Sequence, residues 1–211
     1  MNVSPSKESI LKKIRKALNH STPIPFPNSD GNPSFFQPLK QDLEIEFAEQ
    51  FVKLQGKFIY CINHQEMASH LNNLANQFNW NHIYCGEEKL FALLKDNLFD
   101  NFTDRDLANC DAAITGCEAL VARTGSIVLS SAQQSGRTTS VYAPIHICIA
   151  YTDQLVYDIK NALQQLKESY GENLPSLITF ATGPSRTADI EKTLVVGIHG
   201  PKEVYCFLIE R

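Results

Sequence analysis

The sequence predicts an α/β fold with a mostly parallel sheet and an antiparallel hairpin. Three observations carry that prediction. From about residue 57 onward, short apolar runs alternate with amphipathic stretches at helical spacing, the rhythm of a helix-covered parallel sheet. In mid-chain, Gly125–Ser131 (G-S-I-V-L-S-S) and Thr138–Tyr142 (T-T-S-V-Y) flank a polar loop containing Gly136-Arg137, which reads as a hairpin with a long turn. The composition, 43% hydrophobic and 20% charged over 211 residues, is that of a globular chain with one substantial core.

Taken in order, Ser4-Pro5 provides an N-cap and a first helical residue. Ile10, Leu11, Ile14, Ala17 and Leu18 then recur at helical spacing with Lys12, Lys13, Arg15 and Lys16 between them. This basic amphipathic helix is read as an arm packing on its own domain or on a sister subunit, with a membrane surface or partner protein as the alternative. His20–Lys40 is rich in proline, asparagine and serine and reads as an extended linker. The expected organisation is therefore a helix and linker over 1–40 and an α/β domain over 41–211.

The domain opens with a helix from about Gln41, with Leu43, Phe47, Phe51 and Leu54 on one face and Gly56 at its end. A strand over Lys57–Ile62, a helix over Gln65–Gln77, a strand over His82–Cys85, a helix over Glu87–Lys95 and a strand over Ala112–Thr115 follow. Beyond the hairpin come a strand over His146–Tyr151, a helix over Gln154–Glu168, and strands around Thr179, Val195 and Val204–Ile209.

Composition also excludes function classes. A net charge of −4 argues against a broad basic nucleic-acid surface. No apolar run reaches membrane-spanning length, and Met1-Asn2-Val3-Ser4-Pro5 has no signal-peptide core, so a cytoplasmic protein is expected. Cys61, Cys85, Cys110, Cys117, Cys148 and Cys206 form no C-x-x-C pair. They read as reduced core thiols rather than a metal framework, and no metal site is expected. The nucleophile elbow, the phosphate-binding P-loop, the zinc-protease helix and the dinucleotide fingerprint are all missing.

The richest polar segment is Thr182–Glu191 (T-G-P-S-R-T-A-D-I-E), between two apolar runs. Gly183 lets backbone approach a ligand, Ser185 and Thr187 offer hydroxyls, and Arg186 offers a planar cationic fork for a carboxylate or phosphate. Asp189 and Glu191 are placed to orient the arginine or take part in proton transfer. A second segment, Thr115–Ser126, begins at a predicted strand end, where ligands gather in open α/β sheets. Glu118 there, among small and apolar neighbours, is a candidate base or nucleophile, against the plain alternative of an ion pair with Arg123 or Arg137. Thr124 and Gly125 add hydroxyl and backbone donors, and Arg137 can cap a pocket. Of the histidines, His146 opens an apolar strand and reads as a hydrogen-bonded core residue, whereas His199, near Gly197 and Gly200, is the better acid–base candidate.

These segments resemble the LUD-domain family, in its lactate-utilisation C branch. The match is carried by Ile114–Ser131, by Gly136-Arg137 with Pro144-Ile145-His146, and by T-G-P-S-R-T-A-D-I-E-K-T-L-V-V-G-I-H-G-P over Thr182–Pro201. The resemblance implies a sheet similar to the NagB/RpiA/CoA-transferase group. It also implies a role in oxidising L-lactate to pyruvate beside iron–sulfur partner proteins. Those partners are expected to hold the clusters, with no cofactor on this chain, which makes it a non-redox subunit or accessory factor that binds a small anionic metabolite. Homo-oligomerisation is compatible with that role. The related CoA transferases form a covalent intermediate on a glutamate, and Glu118 is the nearest analogue by fold alone. Two other readings stand beside this one: a non-catalytic assembly or regulatory partner, and a transferase-like enzyme that binds a phosphate or CoA ester.

Overall fold

The computed structural model describes residues 5–18, 41–100, 102, 106–190, 193–197 and 199–211; the side chains of residues 5, 18, 187–190 and 193–195 fall outside that description. Met1–Pro38 and Leu39–Arg211 form separate units. In the first, helix α1 (Pro5–Leu18) exposes Ile10, Leu11 and Ile14. The cap expected at Ser4 and the linker expected over His20–Lys40 lie outside the described residues.

The second unit opens with α2 (Leu43–Lys53). Phe47 and Phe51 are four residues apart and so share one face; both are fully buried, their rings 5.3 Å apart. Strands β1 (Lys57–Cys61), β2 (Ile83–Cys85) and β3 (Ala112–Thr115) alternate with α3 (His64–Phe78) and α4 (Glu88–Asp96). Asn63 starts α3 by accepting the Glu66 N–H at 2.8 Å, which satisfies one of the free donors of the first turn. The chain continues through β4 (Ala119–Val121), β5 (Ser126–Ser130), α5 (Thr139–Tyr142), β6 (Ile145–Tyr151), β7 (Leu155–Val156) and α6 (Ile159–Tyr170). It ends with β8 (Ile178–Ala181), β9 (Arg186–Ile190), β10 (Thr193–Val196) and β11 (Glu203–Ile209).

Five strands in the order β1-β11-β6-β3-β2 make an entirely parallel sheet. A second sheet, β7-β4-β5-β8, is mixed, and β9 and β10 form a separate antiparallel hairpin. Side-chain alternation along β6 places the layers. Ile147 and Ile149 turn toward Met67 and Leu71 of α3 and Leu94 of α4. Cys148 and Ala150 turn the other way, toward Phe47 and Phe51 of α2 and Leu120, Ile127 and Leu129 of the second sheet. The far side of that sheet, with Val121 and Val128, takes Ala162 and Leu166 of α6. Each large side chain fully buried in these layers contributes roughly 1.5–3 kcal/mol.

Two expectations are corrected. Thr138–Tyr142 is not the second strand of a hairpin, because Thr139–Tyr142 forms the short helix α5. The edge of β5 facing away from β4 is taken by β8, so no slot remains for that segment. The antiparallel partner on the other side is Ala119–Val121, joined to β5 by a 3₁₀ turn over Ala122–Thr124. The helix expected from Gln154 begins instead at Ile159, where Asp158 and Asn161 form a capping box; Leu155–Val156 before it pairs with β4.

Two glycines fix how the second sheet meets α2. Gly125 sits at φ 58° and a Cβ on it would lie 2.6 Å from the Phe51 backbone nitrogen; Gly183 sits at φ 82° and a Cβ would lie 2.6 Å from the Leu54 carbonyl oxygen. Left-handed backbone costs an L-residue roughly 1–2 kcal/mol, and here the obstacle is backbone, which has nowhere to move. Gly125→Ala and Gly183→Ala are each expected to lower stability by about 2 kcal/mol or more, read as a drop in urea midpoint at unchanged slope. Parental midpoints in both variants would contradict this packing.

His146 is the buried core histidine expected. Its Nε2 lies 2.8 Å from Thr115 Oγ1, while Nδ1 has no partner among the described residues. Burial pulls its pKa down from 6.5 to about 4. The unfolded chain then binds more protons than the native one between these values, so stability falls as pH drops through that window. The full loss is about 3 kcal/mol. Denaturation at pH 7, 5 and 4 should show a steeper loss in the parent than in His146→Gln, and equal slopes would contradict the assignment.

Candidate functional site

The residues singled out in the sequence fall into two groups. The first lies beside the C-terminal turn of α2. Thr124 Oγ1 is 2.8 Å from Ser126 Oγ, which is 2.8 Å from Thr182 Oγ1, a row of hydroxyls joining the two T-G motifs. Gly125 and Gly183 press on α2 as described, so the open side of Gly183 faces a carbonyl oxygen and not a ligand. Arg186 is exposed and donates from one terminal nitrogen to the Leu54 carbonyl at 2.8 Å. A cation there satisfies a carbonyl at the negative end of the helix dipole.

The loop carrying His199 joins this group. The Ser185 N–H donates to the Pro201 carbonyl at 2.9 Å, and the Gly197 N–H donates to the Ser185 carbonyl at 3.0 Å. Arg186 and Val196 are register partners across the β9–β10 hairpin. The G-P-S-R and I-H-G-P motifs therefore lie side by side. His199 and Lys202 are exposed there, and the Lys202 N–H is tied to the Pro144 carbonyl at 2.7 Å. Thr187 and Asp189 lie on β9 with their side chains outside the described residues, and Glu191 lies outside them altogether.

The second group lies near the C-terminal end of β3. Glu118 Oε1 accepts from Ser130 Oγ at 2.5 Å and from Tyr170 OH at 2.8 Å. Neither arginine considered as its partner takes that role. Arg123 pairs with the buried Asp158 at 2.8 Å, and Arg137 donates to Ser176 Oγ at 2.5 Å. Burial and then the bond to Glu118 raise the Tyr170 pKa, which keeps the phenol protonated as a donor. Nearby, Glu87 Oε1 accepts the Gly116 N–H at 3.0 Å, and the Gln134 side-chain oxygen accepts the Glu88 N–H at 2.9 Å. Tyr170 and Glu87 are far from Glu118 in sequence, and no motif marked either of them.

One strand measures the distance between the groups. Ser126 belongs to the first and Ser130 to the second, at opposite ends of β5, roughly 13 Å apart at ordinary strand rise. They also lie at opposite ends of the parallel sheet: the first group meets the start of β11 through Pro201, and the second follows the end of β3. Arg186 and Glu118 therefore cannot touch one three-carbon acid together. Exposed Arg186 and Lys202 lie at one end, where Glu203 beside Lys202 is paired with Lys57 at 2.6 Å; Glu87, Glu88 and Glu118 lie at the other, with Arg137, and there Arg211 is paired with Asp153 at 3.4 Å.

The thiols belong to the core. Cys117, Cys148 and Cys206 are buried between the two sheets and unlinked. The hydrogen bond to Cys148, with burial, raises the Cys117 pKa well above the ordinary thiol value, the signature of an inert structural thiol. Among the described residues, no three histidine, cysteine or acidic side chains gather as a metal-binding set. Nor, among them, is any helix long and apolar enough to cross a membrane.

Comparison with known proteins agrees with this architecture. The LUD domain model matches residues 86–209, more than half of the chain. The protein named lactate utilization protein C in Bacillus subtilis is 35% identical over 115 residues, covering 53% of this chain and 47% of that protein. Its namesake in Deinococcus radiodurans is 33% identical over 105 residues, covering 49% of each chain. An uncharacterized Neisseria meningitidis protein is 34% identical over 111 residues, covering 52% of this chain and 47% of the other. The chain thus spans about half the length of these curated relatives. The crystal structure of a DUF162 family protein from Deinococcus radiodurans superposes with a TM-score of 0.59 at 18% identity, covering 82% of this chain and 99% of that one, a likeness of fold. The family match, which runs through β3, the T-G-S turn, the Thr182–Pro201 segment and the closing strand, places this chain in the LUD-domain family.

Proposed function

We propose that this chain serves lactate utilisation by binding a small carboxylate, of the lactate or pyruvate class, at the Arg186–His199 end of the molecule. The observation that carries this reading is the hairpin pairing that sets G-P-S-R beside I-H-G-P, so that exposed Arg186, His199 and Lys202 share one surface. An anion is favoured where cationic donors gather and disfavoured beside the carboxylates of the Glu118 end. The guanidinium fork binds the carboxylate in two parallel bonds. His199 is within the same loop cluster and can exchange a proton with the α-hydroxyl of a 2-hydroxy acid. The side chain of Asp189 is the candidate to orient the arginine.

The names of the relatives support the pathway assignment. The two electrons released when lactate becomes pyruvate require a redox group. In this proposal iron–sulfur partner proteins supply it, and the present chain handles the substrate or the assembly. Glu118 is assigned a positioning role, tying β4 to β5 and to the end of α6 through Ser130 and Tyr170, in place of the covalent role suggested by fold analogy.

Thermal stabilisation of the purified chain by lactate and pyruvate tests the site, since a ligand that binds only the native state raises the midpoint by mass action. The midpoint rise is expected in the parent and in Arg137→Ala, and is expected to vanish in Arg186→Ala and shrink in Arg186→Lys, which keeps the charge without the fork. A rise lost in Arg137→Ala and kept in Arg186→Ala would move the site to the other end.

A further inference from the structure

Two surfaces of this chain face solvent with matching chemistry. On α1, Ile10, Leu11 and Ile14 are 57%, 38% and 48% exposed, bordered on the helix surface by Lys13 and Arg15, with Lys12 and Lys16 on the opposite face. At one edge of the parallel sheet, α2 and β1 enclose a groove of about 660 Å³ lined by apolar Ile45, Phe58 and Tyr60 and by the carboxylates of Asp42, Glu44 and Glu49. Exposed Glu210, just after β11 where it pairs with β1, adds a further negative charge at that edge. Of these carboxylates, Glu49 has an exposed ion pair with Lys53 at 3.8 Å, too weak to neutralise the groove. β1 pairs with β11 on one side only, so its other edge carries unpaired backbone groups.

We propose that this groove receives α1 of a second copy of the chain, so that two copies pair reciprocally, each lending its helix to the other's groove. The apolar stripe of α1 covers Ile45, Phe58 and Tyr60, removing apolar surface from water on both sides. Lys13 and Arg15, which border the stripe at 100° per residue, meet the carboxylates of Asp42, Glu44, Glu49 and Glu210, which sets register and orientation. Helices of these lengths match, α1 being about 21 Å and α2 about 17 Å long. Reciprocal exchange closes a two-fold pair and leaves neither surface uncovered. An anionic bilayer would suit α1 alone, but it would be repelled by the groove carboxylates and would leave the groove empty.

Sedimentation equilibrium of the full chain at low salt tests the proposal, with circular dichroism confirming that each variant is folded. The parent is expected to dimerise. The pairs Lys13→Glu with Arg15→Glu, and Glu44→Lys with Glu49→Lys, are each expected to weaken association by roughly tenfold or more, and combining the two pairs in one chain should restore it. A second assay mixes chains carrying only Ile14→Cys with chains carrying only Ile45→Cys under a mild oxidant. A cross-linked species of twice the mass, absent from the parent, is expected. A parent that stays monomeric, a dimer indifferent to both charge reversals, or a cross-link formed only when both cysteines share one chain would each overturn the proposal. Capture of the chain by phosphatidylserine vesicles in place of dimerisation would also overturn it.

Discussion

The contact between two left-handed glycines and the last turn of α2 is the constraint on which the rest of this architecture depends. Gly125 immediately precedes β5 and Gly183 follows β8, yet both abut backbone of the same helix end, at Phe51 and Leu54. Through them the second sheet is held on α2, and through Phe47 and Phe51 α2 is held on the parallel sheet. The approach is backbone to backbone, so even a methyl group is excluded. Arg186 completes the joint by donating to the Leu54 carbonyl. The most polar motif of the chain is thus, in part, a piece of packing.

The two ends of the molecule use their polar groups differently. At the Glu118 end every prominent group is engaged in the fold: Glu118 with Ser130 and Tyr170, Glu87 with Gly116, Arg137 with Ser176. At the Arg186 end the backbone is pinned by bonds between Ser185, Gly197 and Pro201, while the cationic side chains stay at the surface. A rigid backbone presenting exposed donors is the arrangement ligand recognition requires. Open α/β sheets usually gather ligands beyond the carboxyl ends of their strands; the site proposed above lies at the opposite end.

Much of the fold was legible in the sequence because periodicity reports burial. The short apolar run His146–Tyr151 marked a strand buried on both faces, and the i, i+4 spacing of Phe47 and Phe51 marked one buried helix face. The segment Thr138–Tyr142 misled because β-branched residues favour strands only when a neighbouring strand is available, and β8 had already filled that edge of β5. At the site, Thr182–Glu191 was legible as a polar segment between two apolar runs, but the β9–β10 hairpin that sets G-P-S-R beside I-H-G-P was not. Local sequence could not reveal that Glu118 would meet Tyr170, 52 residues away, or that the Gly183 cradle would hold a helix carbonyl. Glycine signals close approach without naming what approaches.

Amide chemical-shift mapping of the isotopically labelled chain during a pyruvate titration tests the two-ended account most directly. The prediction is that shifts concentrate at Thr182–Arg186 and Gly197–Gly200, with the amides of Glu118, Ser130 and Arg137 left in place. Shifts centred on Glu118, Ser130 and Arg137, with the Thr182–Arg186 amides unmoved, would contradict it.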